Sequence, residues 1–285
     1  MRVDAFPVAG TKVQASDFVI TVGGQSGNAA IALARLGART SYAGPLGDVS
    51  DAIANGVVSN LEREGIDCRF AVRVPGAMSS LSTIMLDLTG EKMIATRRGS
   101  GLTEAVPADA AAAVQGLDAV LLDNRYATFC LPIGEAAKVR GIPRVLDFDQ
   151  MAPLEDAMLA LSTHVIASAE ALRSSTGQTE LDAALLALGR HYRGFLAVTN
   201  GPDGVYWRES GRVRHMDAFK VDAIDTLGAG DTFHGAFTLR LVESGDGVDA
   251  MRFASAAAAI KCTRFGGLMG AATRAEVDAF LRERA

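Results

Sequence analysis

The stretch DTLGAGDTFHG, Asp225 to Gly235, sets three residues with little or no side chain directly ahead of a carboxylate. Gly228, Ala229 and Gly230 leave the backbone N–H groups unobstructed where a helix begins, and that helix reads on as DTFHGAFTLRLVESG. A helix N-terminus carries unpaired donors and partial positive charge, which suits a phosphate or a phosphoryl group in transfer. Asp231 falls in the first turn, where negative charge is also favoured. A carboxylate there can take the proton of a substrate hydroxyl while the N–H groups hold the phosphoryl. A lone G-x-G-D also occurs in ordinary turns, so the neighbouring sequence has to decide.

Upstream, apolar strands alternate with amphipathic helices. LDAVLLD (Leu117 to Asp123), PRVLDFD, THVIAS and GFLAVTNG read as buried strands. Ile133 to Arg140, LEDAMLAL and ELDAALLALGRHY read as the helices between them. Buried strands with helical crossovers at this spacing predict a mainly parallel, doubly wound α/β sheet flanked by helices. Two regions break the pattern. TKVQASDFVITV, Thr11 to Val22, mixes polar and apolar residues like a half-exposed strand. The region from Cys68 to Ile94 holds further short candidates, CRFAVRV, SLSTIMLDL and the start of KMIATR, with Thr89-Gly90 as a hairpin turn between the last two. Segments of about 8–22 and 68–98 are therefore expected to build a small β-sheet lid on a single domain spanning 1–285.

The 285 residues are 49% hydrophobic, 21% charged and only 6% aromatic, with a net charge of −5. That balance suits tightly packed helices on a sheet and gives no basic footprint for nucleic acid. Cys68, Cys130 and Cys262 are far apart and odd in number, which argues against a disulfide framework or structural zinc. MRVDAFP is no signal peptide, and no apolar run approaches membrane-spanning length. A cytoplasmic protein without membrane or nucleic-acid partners is the expectation.

Asp225 to Phe233 resembles the C-terminal signature of the ribokinase-like (PfkB) carbohydrate kinases. GGQSGNAAIALARLGA, Gly23 to Ala38, resembles their N-terminal signature, and AGPLGD follows at the expected distance. The resemblance covers nearly the whole chain. It implies an ATP-dependent sugar kinase with Mg²⁺ on the nucleotide and a monovalent cation as a further cofactor. Asp231 matches the catalytic base, and Gly228, Ala229 and Gly230 match the anion hole. Gly24 and Asn28 match residues that meet the sugar. Thr199, Gly201 and Gly204 in VTNGPDGV match a nucleotide-side loop, and Lys261 to Gly267, KCTRFGG, matches the segment bordering the adenine site. Asp225 is implied to help organise a nearby cation. An exposed lid sheet would leave an edge for a second copy, so a homodimer through the lid is expected.

The chain departs from the family in two places. Where members often carry Asn-x-x-Glu, VIASAEAL has Ser168 near the Asn position and Glu170 loosely placed, which weakens a metal role for Glu170. The Ser is similar to the ketohexokinase and sulfofructose kinase branch. Members also begin with a hydrophobic strand ending in a sugar-binding Asp, and MRVDAFP corresponds to the segment after it; Asp4 follows no strand. This implies either a start downstream of the family's first strand or the loss of one sugar-binding group. Lys12, and Arg125 at a strand's C-terminal end where open α/β sheets bind ligands, match positions that face the sulfonate in sulfofructose kinases. Thr96 stands at their companion Asn position. The substrate so implied is an anionic ketohexose, 6-deoxy-6-sulfofructose, phosphorylated at O1. A neutral ketohexose, another sugar of the ribose or ketodeoxygluconate type, and binding without turnover are the alternatives.

Overall fold

Helix α1 (Gln25–Arg35) is the first helix of the computed structural model, which describes residues 1–284. It is followed by β1 (Ser41–Leu46), α2 (Ala52–Arg63) and β2 (Asp67–Arg73), and β1 and β2 pair in parallel. Asp51 starts α2 by accepting the Ile53 N–H, as N-cap carboxylates do. Strands β3 (Leu81–Leu86) and β4 (Lys92–Arg97) form the expected antiparallel hairpin. Its turn is tied by Asp87, whose carboxylate accepts the N–H groups of Thr89 and Glu91. A short helix, α3 (Ala110–Ala113), leads into the larger half.

That half runs β5 (Val120–Asp123), α4 (Ala127–Val139), β6 (Arg144–Phe148), α5 (Ala157–Leu161), β7 (His164–Ser168), α6 (Ala169–Thr176), α7 (Leu181–His191) and β8 (Phe195–Thr199). A hairpin of β9 (Val205–Glu209) and β10 (Arg212–Met216) follows, then α8 (Ala229–Ser244), α9 (Gly247–Cys262) and α10 (Arg274–Arg282). The sheet order is β10-β9-β8-β7-β6-β5, with β5 to β8 parallel and the last two strands antiparallel. The α/β class holds, as a mixed sheet with helices on both faces.

Side chains alternate across the sheet. Leu146 and Phe148 enter a core shared with α4 to α7, while Val145, Ile166 and Ala197 enter a second core built on α8 and α9. The same alternation turns Asp147 toward the α8 side. Helix α1 lies against α8 where Gly235 sits, and a Cβ there would come within 2.8 Å of the Ala29 carbonyl oxygen. Glycine at 235 is thus what lets the two helices approach, and their approach sets Asn28 beside Asp231.

The lid differs from expectation. Thr11 to Val22 is not a strand; its one pairing is a bridge from Asp17 to Arg2. The CRFAVRV segment becomes β2 and pairs with β1, so it does not join the lid. The chain start takes its place: the Met1 amino group donates to Ile84 O at 2.9 Å and Val3 N–H to Leu86 O at 2.9 Å. Among the described residues, β1 pairs only with β2 and β5 only with β6.

Candidate active site

Gly228 adopts a left-handed conformation, φ 77°, and turns the chain into α8. A Cβ on it would collide with Leu268, so both its φ and the close approach require glycine. Ala229 N–H is taken by Thr226 O at 3.2 Å, and Thr232 N–H by Gly228 O at 2.9 Å. The first-turn amides of Gly230 and Asp231 therefore remain without a backbone acceptor. A Cβ on Gly230 would meet nothing within 4 Å, so the space over this turn is open.

Asp231 accepts a 2.6 Å hydrogen bond from Asn28 Nδ2. Burial raises its carboxyl above the ordinary aspartate range, while the Asn28 donor and His234 act against the rise. The result is a carboxylate more basic than a surface aspartate, in the same first turn as the two open amides. Around it the strand ends bring further acids. Register sets Asp123 of β5 directly beside Asp147 of β6. Ser26 donates to Asp123 Oδ2, and Gln25 donates to Asp147 Oδ2 at 3.4 Å.

Asp147 and His234 form a buried pair, 3% and 4% exposed. Burial pushes the Asp147 carboxyl well up, helped by the charges of Asp231, Asp123 and Asp149 and opposed by Arg125. Burial pushes the His234 imidazole down. His234 Nδ1 lies 2.8 Å from Gly230 O, and Nε2 lies 3.2 Å from Ile166 O and 3.4 Å from Asp147 Oδ1. Burial and the neighbouring carboxylates thus favour the protonated form of Asp147 well above the ordinary aspartate range. A folded value raised above the unfolded one gives stability that is complete below about pH 4 and is lost as pH rises through the folded value. Asp147→Asn removes that loss. Its melting temperature relative to wild type is therefore expected to climb between pH 4 and 8, by roughly 2–4 °C for each kcal/mol relieved. A difference that stays flat across this range would show Asp147 to be ionised throughout.

The remaining sequence candidates divide. Arg125 joins the cluster: its N–H donates to Asp123 Oδ1 at 2.9 Å and its Nε to Gln25 Oε1 at 3.3 Å. Its terminal guanidinium nitrogens have no acceptor among the described residues. Gly24 starts α1 at φ 83° and accepts the Asn28 N–H, fixing that side chain's height in the site. Ser168 and Thr199 are register partners at the ends of β7 and β8. Ser168 caps α6 through the Ala171 N–H, and Gly201 and Gly204 form the turn beyond Thr199. Thr96 lies exposed on β4, bonded to Ser82 at 2.9 Å, and Lys12 is exposed on the segment before α1. Glu170 is exposed on α6.

Two assignments need correction. Lys261 is 0% exposed, so its side chain cannot line a nucleotide site; it donates instead to Asp225 O at 2.6 Å. Asp225 has no oxygen left for a metal, since Leu227 N–H and the Lys261 ammonium face Oδ1 while the Gly266 and Gly267 N–H groups bond Oδ2. Gly267 thus contributes its amide to loop structure. Sequence reading missed Gln25, Ser26, Asp123, Asp147 and His234. Two cavities of about 250 and 220 Å³ lie along β2 and α3 and share no residue with this cluster.

Open amides at a helix N-terminus, beside a buried Asn-bound carboxylate at the C-terminal edge of an α/β sheet, define a site for moving an anionic group onto a hydroxyl. Residues 1–273 match the pfkB family carbohydrate kinase, and the chain belongs to that family of phosphotransferases. It is 31% identical to a ribokinase of Haemophilus influenzae, over 99% of this chain and 94% of that one. A ribokinase of Bacillus subtilis is 29% identical over 98% and 94%. A crystal structure of a provisionally named ribokinase from Agrobacterium tumefaciens superposes with a TM-score of 0.93 at 35% identity, covering 99% of this chain and 93% of that one. No described helix is long and apolar enough to cross a membrane.

Proposed function

We propose that the protein transfers the γ-phosphoryl group of ATP to a primary hydroxyl of a sugar, with Asp231 as general base and the amides of Gly230 and Asp231 on the transferring group. The observation that carries this reading is the Asn28–Asp231 bond beside the open first turn of α8. Asn28 Oδ1 is buried and has no donor among the described residues, which supports its accepting a hydroxyl of the sugar. Ser168, Thr199, Gly201 and Gly204 are the residues proposed for the nucleotide side. Mg²⁺ takes most of its oxygens from phosphates and water. No group of three or more His, Cys, Asp or Glu side chains among the described residues could hold a metal alone, so the ion comes with the nucleotide.

For the acceptor, the unpartnered guanidinium of Arg125 favours a sugar with an anionic end, of which 6-deoxy-6-sulfofructose phosphorylated at O1 is the first choice, with Lys12 and Thr96 as further contacts. A neutral sugar is the second reading, favoured by relatives named ribokinase. ATP consumption over a panel of 6-deoxy-6-sulfofructose, fructose and ribose separates them: the highest kcat/KM identifies the acceptor, and no turnover on any sugar defeats the kinase assignment of the site. The hairpin exposes Leu81, Met93 and Ile94, and the segment before α1 exposes Phe18 and Ile20. Such a face supports a homodimer. Sedimentation at the mass of two chains, reduced to one by Ile94→Lys, is the expected result; a wild-type monomer would exclude it.

A further inference from the structure

Lys261 is the most deeply buried charge of the chain, and packing does not account for it. A methionine or leucine would fill the same volume without the cost of removing an ammonium from water. Its Nζ lies 2.6 Å from Asp225 O and 3.5 Å from Asp225 Oδ1. Cys262 O, in the last turn of the same helix, accepts the N–H groups of Ile224 and Asp225 at 2.7 and 3.1 Å. The C-terminal end of α9, with its partial negative charge, is thus strapped to the strand of chain that leads into the Gly228 turn. On the other side, Asp225 Oδ2 holds Gly266 and Gly267, and Leu268 behind them packs against Gly228.

A carbonyl, a carboxylate and a helix C-terminus gathered at one buried point call for positive charge. A dissolved cation does not fit, because every Asp225 oxygen already faces an N–H or ammonium donor. We propose that the Lys261 ammonium is the built-in cation of the Asp225–Gly230 loop, a positioning residue that makes phosphoryl transfer independent of dissolved monovalent cations. This rests on the assignment of that loop to the transferring phosphoryl group, but not on which sugar is the acceptor.

The test compares potassium with choline at equal ionic strength. Wild-type kcat is expected to agree within about twofold between the two salts, and a stimulation by potassium of tenfold or more overturns the proposal. Lys261→Met in choline is expected to lose roughly 10- to 100-fold in kcat, the scale of a lost charge-assisted bond, with KM for ATP little changed. Potassium or ammonium should restore part of that loss. A second readout needs no turnover: potassium should raise the melting temperature of Lys261→Met and leave the wild type unmoved, as a ligand of the folded state does. A Lys261→Met protein whose turnover and melting both ignore potassium refutes the cation role. If that variant does not fold, the wild-type comparison alone decides. Failure of the loop assignment itself reads differently: Asp231→Asn would then keep its turnover, while the melting response of Lys261→Met to potassium would persist.

Discussion

Asp231→Asn is expected to lower kcat by about 10²- to 10⁴-fold, the range that a positioned general base contributes, while KM for ATP stays within a few-fold. The substitution keeps the shape and the contact with Asn28 but removes the site that receives the hydroxyl proton. The open amides of the α8 turn are untouched, so phosphate binding survives. A kcat within tenfold of wild type would take Asp231 out of the catalytic role. The pH profile gives an independent reading. Burial raises the Asp231 carboxyl, so its basic form is lost as pH falls through a value above the ordinary aspartate range. Asn28 opposes that rise through its donated hydrogen bond. Asn28→Ala should therefore move the acid limb of kcat/KM to higher pH, and a limb that stays put would mean that another group controls it.

What the sequence disclosed depended on how local the cause was. The Gly228–Asp231 turn was legible because its chemistry, small residues followed by an acid at a helix start, lies within four neighbours. The strands from β5 to β8 were legible because a parallel strand buried on both faces is apolar along its length. Asp147 and His234 were not. Each looks ordinary in its own element, and their pairing follows from strand register plus the crossing of α8 over β6. Lys261 was misread because its partner is a backbone carbonyl, which no sequence pattern marks. Thr11 to Val22 has a strand's composition yet pairs only at Asp17, with Arg2; a period of two states what a segment can do, and pairing needs a partner. The β9–β10 hairpin was overlooked although VYWRESGRVRHM alternates around Ser210-Gly211, a turn with both residues at positive φ.

Arg125→Ala is expected to lower kcat/KM for 6-deoxy-6-sulfofructose by roughly 10- to 150-fold, the equivalent of one charge-assisted hydrogen-bond interaction with an anion. Activity on fructose or ribose, which lack the charge, should hardly change. The geometry motivates the difference. Arg125 is anchored through its backbone N–H on Asp123 and its Nε on Gln25, which leaves the end of the guanidinium fork to grip two oxygens of one anionic group. Arg125→Lys should recover only part of the loss, because an ammonium offers a point charge in place of the fork. The competing account is that Arg125 offsets the acids around it, since its charge acts on Asp147. That account predicts equal losses on charged and neutral sugars together with a lower melting temperature. Specificity predicts a narrowed gap between the two sugar classes at unchanged stability. If fructose or ribose is already the better substrate of the wild-type enzyme, the free end of Arg125 serves the acid cluster and the neutral-sugar reading takes the place of the anionic one.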